Sequence, residues 1–490
     1  MGEIKKQGIF NSVSTYLGIG VGAINTIILF PRAFVGEDEK WGLIQFMLAI
    51  GVVVAGFSNF GLSKSLPRFI QSHKNYKEQL ISFASWVSLA GAVIFIAIAL
   101  LFKTQIIAWL NADRLFNDYY FIFIPLVILL ILNELYTGIF QGYLRTRLPL
   151  FLNEVGVRLG MSAVLVSHAI FHFSYTTFMI LFLSVYGIRS AILLIEYLRK
   201  YRVSLFIPLD GQVIKEFLKY GFVTIFSAST AVFLTKIDQI FVGSYDLKEL
   251  AYYGLAFYLG SMIMAPARSL SVISIPVMAG AWARENYESI KTIYNKSALN
   301  SLLIGGALFW MMWLSLDSLY FFLPEKYAGG KTVFFIVGLS RVFGSSMGLN
   351  GSVLNTSPGY RINVPFSIIV VIVAIAANYY LIPIYGINGA ASAVFITVFV
   401  DNLLRFLFLW IAYNIQPFKW NNLTALVVVS IPGLLLYFLN INVSPILNLI
   451  IIPAVYAVMF LPVILKLDIS PDLTHLIHSG LSKVRFRRNG

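Results

Sequence analysis

Nine ionisable side chains lie inside long apolar stretches of this 490-residue chain: Glu134, Glu154, Arg158, Arg189, Lys236, Asp238, Arg341, Asp401 and Arg405. A charge in hydrocarbon costs on the order of 3 kcal/mol on insertion scales, so each needs a partner or a polar cavity. Spacing sorts them. Glu154 with Arg158 and Asp401 with Arg405 are i,i+4 pairs that share a helix face, and each pair either neutralises itself or serves a substrate. Lys236 and Asp238 diverge by roughly 200° around a helix, so at least one needs a partner on another element. Arg189 and Arg341 have no acidic residue three or four positions away. Each therefore either meets an anionic substrate or pairs with a carboxylate such as Glu134 or Asp238. A guanidinium suits phosphate because its planar fork stays charged and donates two parallel hydrogen bonds. The candidate substrate site is thus Arg189, Arg341, Arg158, Arg405 and Glu134 in a polar cavity. Asp238 and Asp401, with Lys236, are the candidates for coupling, and a buried carboxylate there could carry a proton.

Other chemistry finds little support. The chain has no Cys, which excludes disulfides, thiolate metal sites and a cysteine nucleophile. It shows no P-loop, dinucleotide glycine fingerprint or serine triad. His168 and His172 have metal-ligand spacing, but they sit beside Phe171 and Phe173 and read as an interfacial belt. His475 and His478 read as a solvated face. The expectation is a non-enzyme with no cofactor and no resident metal. Its energy would come from an H+ or Na+ gradient, the membrane potential or the substrate's own gradient.

The elements that must position these groups follow from composition. Apolar residues make up 58% of the chain and charged ones 12%, against about 25% charged in soluble domains. Mean hydropathy is +0.81. Stretches of about 20 apolar residues are long enough to span a bilayer. Fourteen such stretches occur, from 8–34 to 445–465, among them 217–243 (span seven), 251–273 (span eight), 363–384 (span eleven) and 387–413 (span twelve). The predicted fold is an all-α polytopic membrane protein of about 14 transmembrane helices. Pro31, Pro67 and Pro276 read as helix ends. In the loops, 24 of the 36 basic residues fall on one side and 7 on the other, which places both termini in the cytoplasm. The net charge of +14 then reads as orientation signal and contact with anionic membrane lipids, with no nucleic acid partner.

An internal repeat orders the spans. Lys6-Gln7-Gly8 matches Lys219-Tyr220-Gly221, Gly42-Leu43 matches Gly254-Leu255, Asn75-Tyr76 matches Asn286-Tyr287, Arg147 matches Arg361 and Arg189 matches Arg405. Six spans separate equivalent points, so the two six-helix lobes form a parallel pseudo-repeat, with two extra helices after them. The expected divisions are an N-terminal lobe at 1–198, a cytoplasmic linker at 199–216, a C-terminal lobe at 217–415, and helices 13 and 14 with a basic cytoplasmic tail at 416–490. An amphipathic run at 213–220 predicts a helix at the membrane interface. The tail, 473–488, reads as a lipid anchor.

Lys6-Gln7-Gly8-Ile9-Phe10-Asn11-Ser12 through Pro31-Arg32, then Trp41-Gly42-Leu43 and Phe60-Gly61-Leu62, resembles the opening of bacterial polysaccharide-transport flippases. Lys236-Ile237-Asp238-Gln239-Ile240-Phe241-Val242-Gly243 and Tyr253-Gly254-Leu255 resemble the corresponding second-half opening. This resemblance implies the multidrug/oligosaccharidyl-lipid/polysaccharide exporter superfamily. The implied activity is flipping a lipid-linked oligosaccharide, on undecaprenyl pyrophosphate, from the cytoplasmic to the outer leaflet of the bacterial inner membrane. Alternating access would drive it, for O-antigen, capsule or exopolysaccharide assembly, with a polysaccharide polymerase machinery as a further partner. The alternatives are a lipid II flippase and a cation-coupled multidrug exporter of the same superfamily.

Overall fold

The structure is a computed structural model that describes residues 2–201, 210–225, 230–439 and 443–475. Among these residues all regular structure is helical. Lipid offers the backbone no hydrogen-bond partners, so apolar runs of this length satisfy their peptide groups internally by forming helices. Local caps fix several starts. Ser174 accepts from the Thr177 amide at 3.3 Å, Asn286 from Ser289 at 3.0 Å and Ser444 from Leu447 at 3.4 Å.

Ten of the described helices are long and apolar enough to cross a membrane, or eleven if Glu325–Ser346 and Asn350–Thr356, bent by 47°, form one span. The expected fourteen are therefore not all present as separate continuous helices, for two physical reasons. Spans eleven and twelve run together as Asn363–Tyr413, broken only at Gly386 (φ 56°, ψ −134°), a conformation open to glycine. Spans seven and eight are fragmented. Span seven contains the short helices Thr230–Leu234 and Ile237–Tyr245, separated at Lys236, and span eight is divided into Leu247–Met262 and Ala265–Ala283. Pro266 lies at the start of the last of these, where a missing amide hydrogen costs nothing. Pro67 and Pro276 lie inside Leu62–Ser72 and Ala265–Ala283 rather than at helix ends. Membrane helices tolerate this because neighbouring groups satisfy the freed carbonyl.

The chain packs as two units, Met1–Leu255 with Ile382–Ile387, and Ala256–Leu381 with Asn388–Gly490. In the first, Tyr120–Gly142 is the hub, packed against Asp38–Ser58, Leu62–Ser72, Lys77–Leu101 and Tyr175–Lys200. Leu66, Ile70, Leu80, Ile139 and Leu193 fill the core there. The amphipathic run is the helix Gly211–Thr224, capped by Asp210, whose carboxylate accepts from the Gln212 amide at 2.8 Å. Its Phe217 is buried against Phe69, ring centroids 4.9 Å apart. In the second unit Tyr287–Tyr320 is the hub for Ala265–Ala283, Lys331–Ser346, Trp420–Leu439 and Pro445–Leu467. The linker residues 202–209, His478 and the tail from 476 onward lie outside the described residues.

Candidate functional site

In the first unit the span Arg147–Phe171 carries the Glu154–Arg158 pair, with Glu154 on a π-helical turn, Leu152–Gly156, and Arg158 in the α-helix that follows it. A second π-turn, Ile24–Leu29, lies in the span Phe10–Ala33 that packs beside it. Such turns widen the helix by one residue and often mark working sites. Arg158 Nη1 reaches Glu154 Oε2 at 2.9 Å and the Glu154 carbonyl at 3.0 Å. Both side chains of the pair stay about one-third exposed. Asn25, 4% exposed, stitches the two spans together. Its Nδ2 donates to the Arg158 carbonyl at 2.8 Å, and its Oδ1 accepts from the Ser162 hydroxyl at 2.6 Å. Close approach also requires Gly18, since a Cβ there would fall 2.4 Å from Arg158 Nη1.

Arg189 lies near the middle of Tyr175–Lys200 and is 7% exposed. Its guanidinium carbon sits 5.0 Å from the centre of the Tyr186 ring. Tyr186 is close enough to feel both Arg189 and Arg158 electrostatically. Among the described residues Arg189 has no carboxylate partner, and its Nε and Nη2 have no hydrogen-bond acceptor. The two carboxylates considered for it are engaged elsewhere. Glu134 faces Lys64 at 3.4 Å and Asn59 Nδ2 at 3.5 Å, and Asp238, 1% exposed, accepts a hydrogen bond from the Tyr253 hydroxyl. Lys236, at the break before the helix Ile237–Tyr245, turns to Gln239 Oε1 at 2.9 Å, so Lys236 and Asp238 find separate partners.

In the second unit Asp401 Oδ1 and Arg405 Nη2 pair at 2.8 Å, about one-quarter exposed. Beside them Asn350 Nδ2 donates to Asn402 Oδ1 at 2.8 Å. The Arg341 guanidinium packs over the Phe257 ring at 5.4 Å. His168 is enclosed by Phe34, Phe173 and Phe178 rings at 4.9 to 5.5 Å, of which Phe34 and Phe178 are buried. No group of three or more His, Asp or Glu residues that could hold a metal ion occurs among the described residues.

Sequence spacing finds both i,i+4 pairs. It misses Asn25, Ser162, Lys64 and Tyr186. The first three act across distant chain positions. Tyr186 lies three residues before Arg189, at the spacing where an aromatic ring can meet a cation on one helix face.

Residues 4–282 match the family described as polysaccharide biosynthesis protein, and residues 224–380 match the MatE family. A sequence comparison with curated proteins gives no significant match. Among solved structures, the fold is similar to that of the lipid II flippase MurJ in an inward closed conformation. The TM-score is 0.70 at 16% identity, covering 94% of this chain and 99% of that one. It is also similar to an inward-facing multidrug resistance MATE family transporter of the MOP superfamily, with TM-score 0.63 at 14% identity over 80% of this chain and 97% of that one. A Vibrio cholerae MATE transporter gives a TM-score of 0.56 at 15% identity, covering 84% and 98%. With more than half its length inside one family match, and apolar helices that can cross a membrane, the chain belongs to the polysaccharide biosynthesis protein family.

Proposed function

We propose that the protein flips a saccharide carried on a polyprenyl diphosphate from the cytoplasmic to the outer leaflet of a bacterial inner membrane. The observation that carries this reading is Arg189, a buried guanidinium with no carboxylate partner and two nitrogens without acceptors among the described residues. A saccharide and its diphosphate cannot enter hydrocarbon unaided, because each polar group loses its hydration. A fixed guanidinium replaces part of that hydration and is itself stabilised by the anion. Arg158 and Asn25 extend the polar surface on the neighbouring spans, and exposing this site alternately to the two leaflets completes the cycle. The same reading keeps fourteen crossings in two parallel lobes plus a pair, counting the halves of the helix broken at Gly386 separately and treating the fragmented spans seven and eight as crossings. It also keeps both termini cytoplasmic.

Lipid II is the substrate favoured by the fold likeness, since a lipid II flippase structure is matched over 94% of this chain. An O-antigen, capsule or exopolysaccharide unit is the second reading, favoured by the polysaccharide biosynthesis description of the matched family. Both present the same diphosphate to Arg189. Export of cationic drugs fits less well, because such a drug would meet an uncompensated positive charge. Asp238 and Asp401 are the proposed coupling carboxylates. The test is reconstitution in liposomes with lipid II or an undecaprenyl-diphosphate oligosaccharide, reading leaflet sidedness with an impermeant reagent. Transport of either, lost in Arg189→Gln, supports the reading. Transport of a cationic drug with neither lipid moved would replace it.

A further inference from the structure

Well away from Arg189, the carboxyl ends of Tyr120–Gly142 and Tyr175–Lys200 meet the amino end of Arg147–Phe171. There they border an open hollow of about 240 Å³, lined by Gln7, Arg145, Arg147, Glu196 and Lys200 together with Phe140 and Leu148. Lys200 lies eleven residues beyond Arg189, or about 16 Å along the helix, so the hollow is a separate place on the unit. Loop counting puts it on the cytoplasmic side.

The turn that presents the two arginines is tightly fixed. Leu144 adopts φ 58°, its amide donates to the Gln141 carbonyl at 2.9 Å, and the Arg145 amide reaches back to the Phe140 carbonyl at 2.8 Å. This closes the helix in the manner of a Schellman turn. Thr146 ties the turn to the first span, because its hydroxyl oxygen accepts from Asn11 Nδ2 at 3.0 Å and lies 3.3 Å from Gln7 Oε1. Arg145 packs over the Tyr201 ring at 6.0 Å, and that ring stacks on Tyr143 with centroids 3.9 Å apart. Burial, then Tyr201 and Glu78, push Tyr143 up to about 12, and burial also raises Tyr201. Both phenols therefore stay neutral at physiological pH and add no negative charge.

The charge balance of the hollow is uneven. Three cations face one carboxylate, and that carboxylate, Glu196, is already paired with Lys200. Arg145 and Arg147 have no ion pair among the described residues, and Arg147 Nε is buried with no hydrogen-bond partner. An unpartnered guanidinium nitrogen inside a net positive, preformed hollow calls for an anion with several acceptor oxygens.

We infer that this hollow binds a phosphate or diphosphate group, held by Arg145, Arg147 and Lys200 with the Gln7 amide as a further donor. The group could arrive on a lipid headgroup or as the free anion, and the experiment separates these sources. The inference does not depend on Arg189 or on transport, because it is read by binding alone.

The test uses the purified full chain and native mass spectrometry. The probes are inorganic pyrophosphate, farnesyl diphosphate and phosphatidylglycerol, with phosphatidylcholine as the control. The wild type should retain at least one phosphate-bearing probe more than the control. The double variant R145Q/R147Q should hold one molecule fewer and bind at least tenfold more weakly, while Glu196→Gln, which frees Lys200, should bind more tightly. Retention of pyrophosphate assigns the site to the free anion, and retention of the lipid-borne probes alone assigns it to a headgroup. A folded R145Q/R147Q variant, with the thermal midpoint of the wild type, that binds every probe as the wild type does would overturn the inference. So would Glu196→Gln binding that is unchanged or weaker.

Discussion

Replacing Arg189 with Met should stabilise the protein while abolishing its transport. Arg189 is 7% exposed, near the middle of its span, with no carboxylate partner among the described residues. Holding an unpaired charge at that depth costs about 3 kcal/mol. The Tyr186 ring at 5.0 Å returns about 1 to 2 kcal/mol as a cation–π contact. The balance predicts that Arg189→Met, close in length and apolar, gains about 1 to 2 kcal/mol of stability. Transport should move the other way. Two charge-assisted hydrogen bonds to a diphosphate at about 1.5 to 3 kcal/mol each make a loss of at least 100-fold the expectation. Thermal unfolding in detergent and leaflet-specific flipping in liposomes read the two effects on the same preparation. A protein that is less stable yet flips substrate normally would refute the reasoning, since it would make Arg189 a structural group with a partner.

Four further outcomes follow from the packing and charge described above. Gly138→Ala should cost about 1 to 3 kcal/mol, because a Cβ would lie 2.1 Å from the Ser63 carbonyl oxygen, whereas Gly187→Ala, which meets nothing within 4 Å, should be neutral or slightly stabilising in the same thermal unfolding assay. Asn25→Ala removes both bonds that stitch the spans together, while the Ser162 hydroxyl still donates to the Arg158 carbonyl at 2.9 Å, so it should cost about 0.5 to 1.5 kcal/mol per bond lost, and a double-mutant cycle with Ser162→Ala should show coupling rather than additivity. The Tyr143 phenol is raised from 10.0 to about 12, so the stabilisation from its neutral form is complete below pH 10 and is lost as pH rises towards about 12; Tyr143→Phe should remove that part of an alkaline unfolding curve. Asp238→Asn should slow flipping driven by an imposed ion gradient, and transport identical to the wild type would exclude Asp238 as a coupling carboxylate.

The spans most readable in the sequence are those whose apolar runs are continuous, such as Tyr120–Gly142 and Tyr175–Lys200. Spans seven and eight escape that reading because hydropathy averages over the break at Lys236 and over the interruption before Pro266, whereas helix continuity depends on each residue's own backbone. The pairs Glu154–Arg158 and Asp401–Arg405 are legible because helical geometry alone brings them together. The contacts of Glu134 with Lys64 and of Asn25 with Ser162 depend on which spans pack side by side, and no local spacing encodes that. Neither π-turn has a sequence signature of its own, although each contains a polar residue of the candidate site, Asn25 in one and Glu154 in the other. Arg189 is the intermediate case. Its lack of an acidic neighbour is visible in the sequence, but its lack of a distant one among the described residues had to be read from the fold.

The central claim is that Arg189 binds the diphosphate of a polyprenyl-linked saccharide during flipping. It is tested most directly by measuring lipid II translocation by Arg189→Lys and Arg189→Gln in liposomes, alongside an undecaprenyl-diphosphate oligosaccharide. Arg189→Lys, which keeps the charge without the fork, should retain partial activity, and Arg189→Gln should lose it for whichever substrate the wild type moves. Wild-type flipping by Arg189→Gln would contradict it.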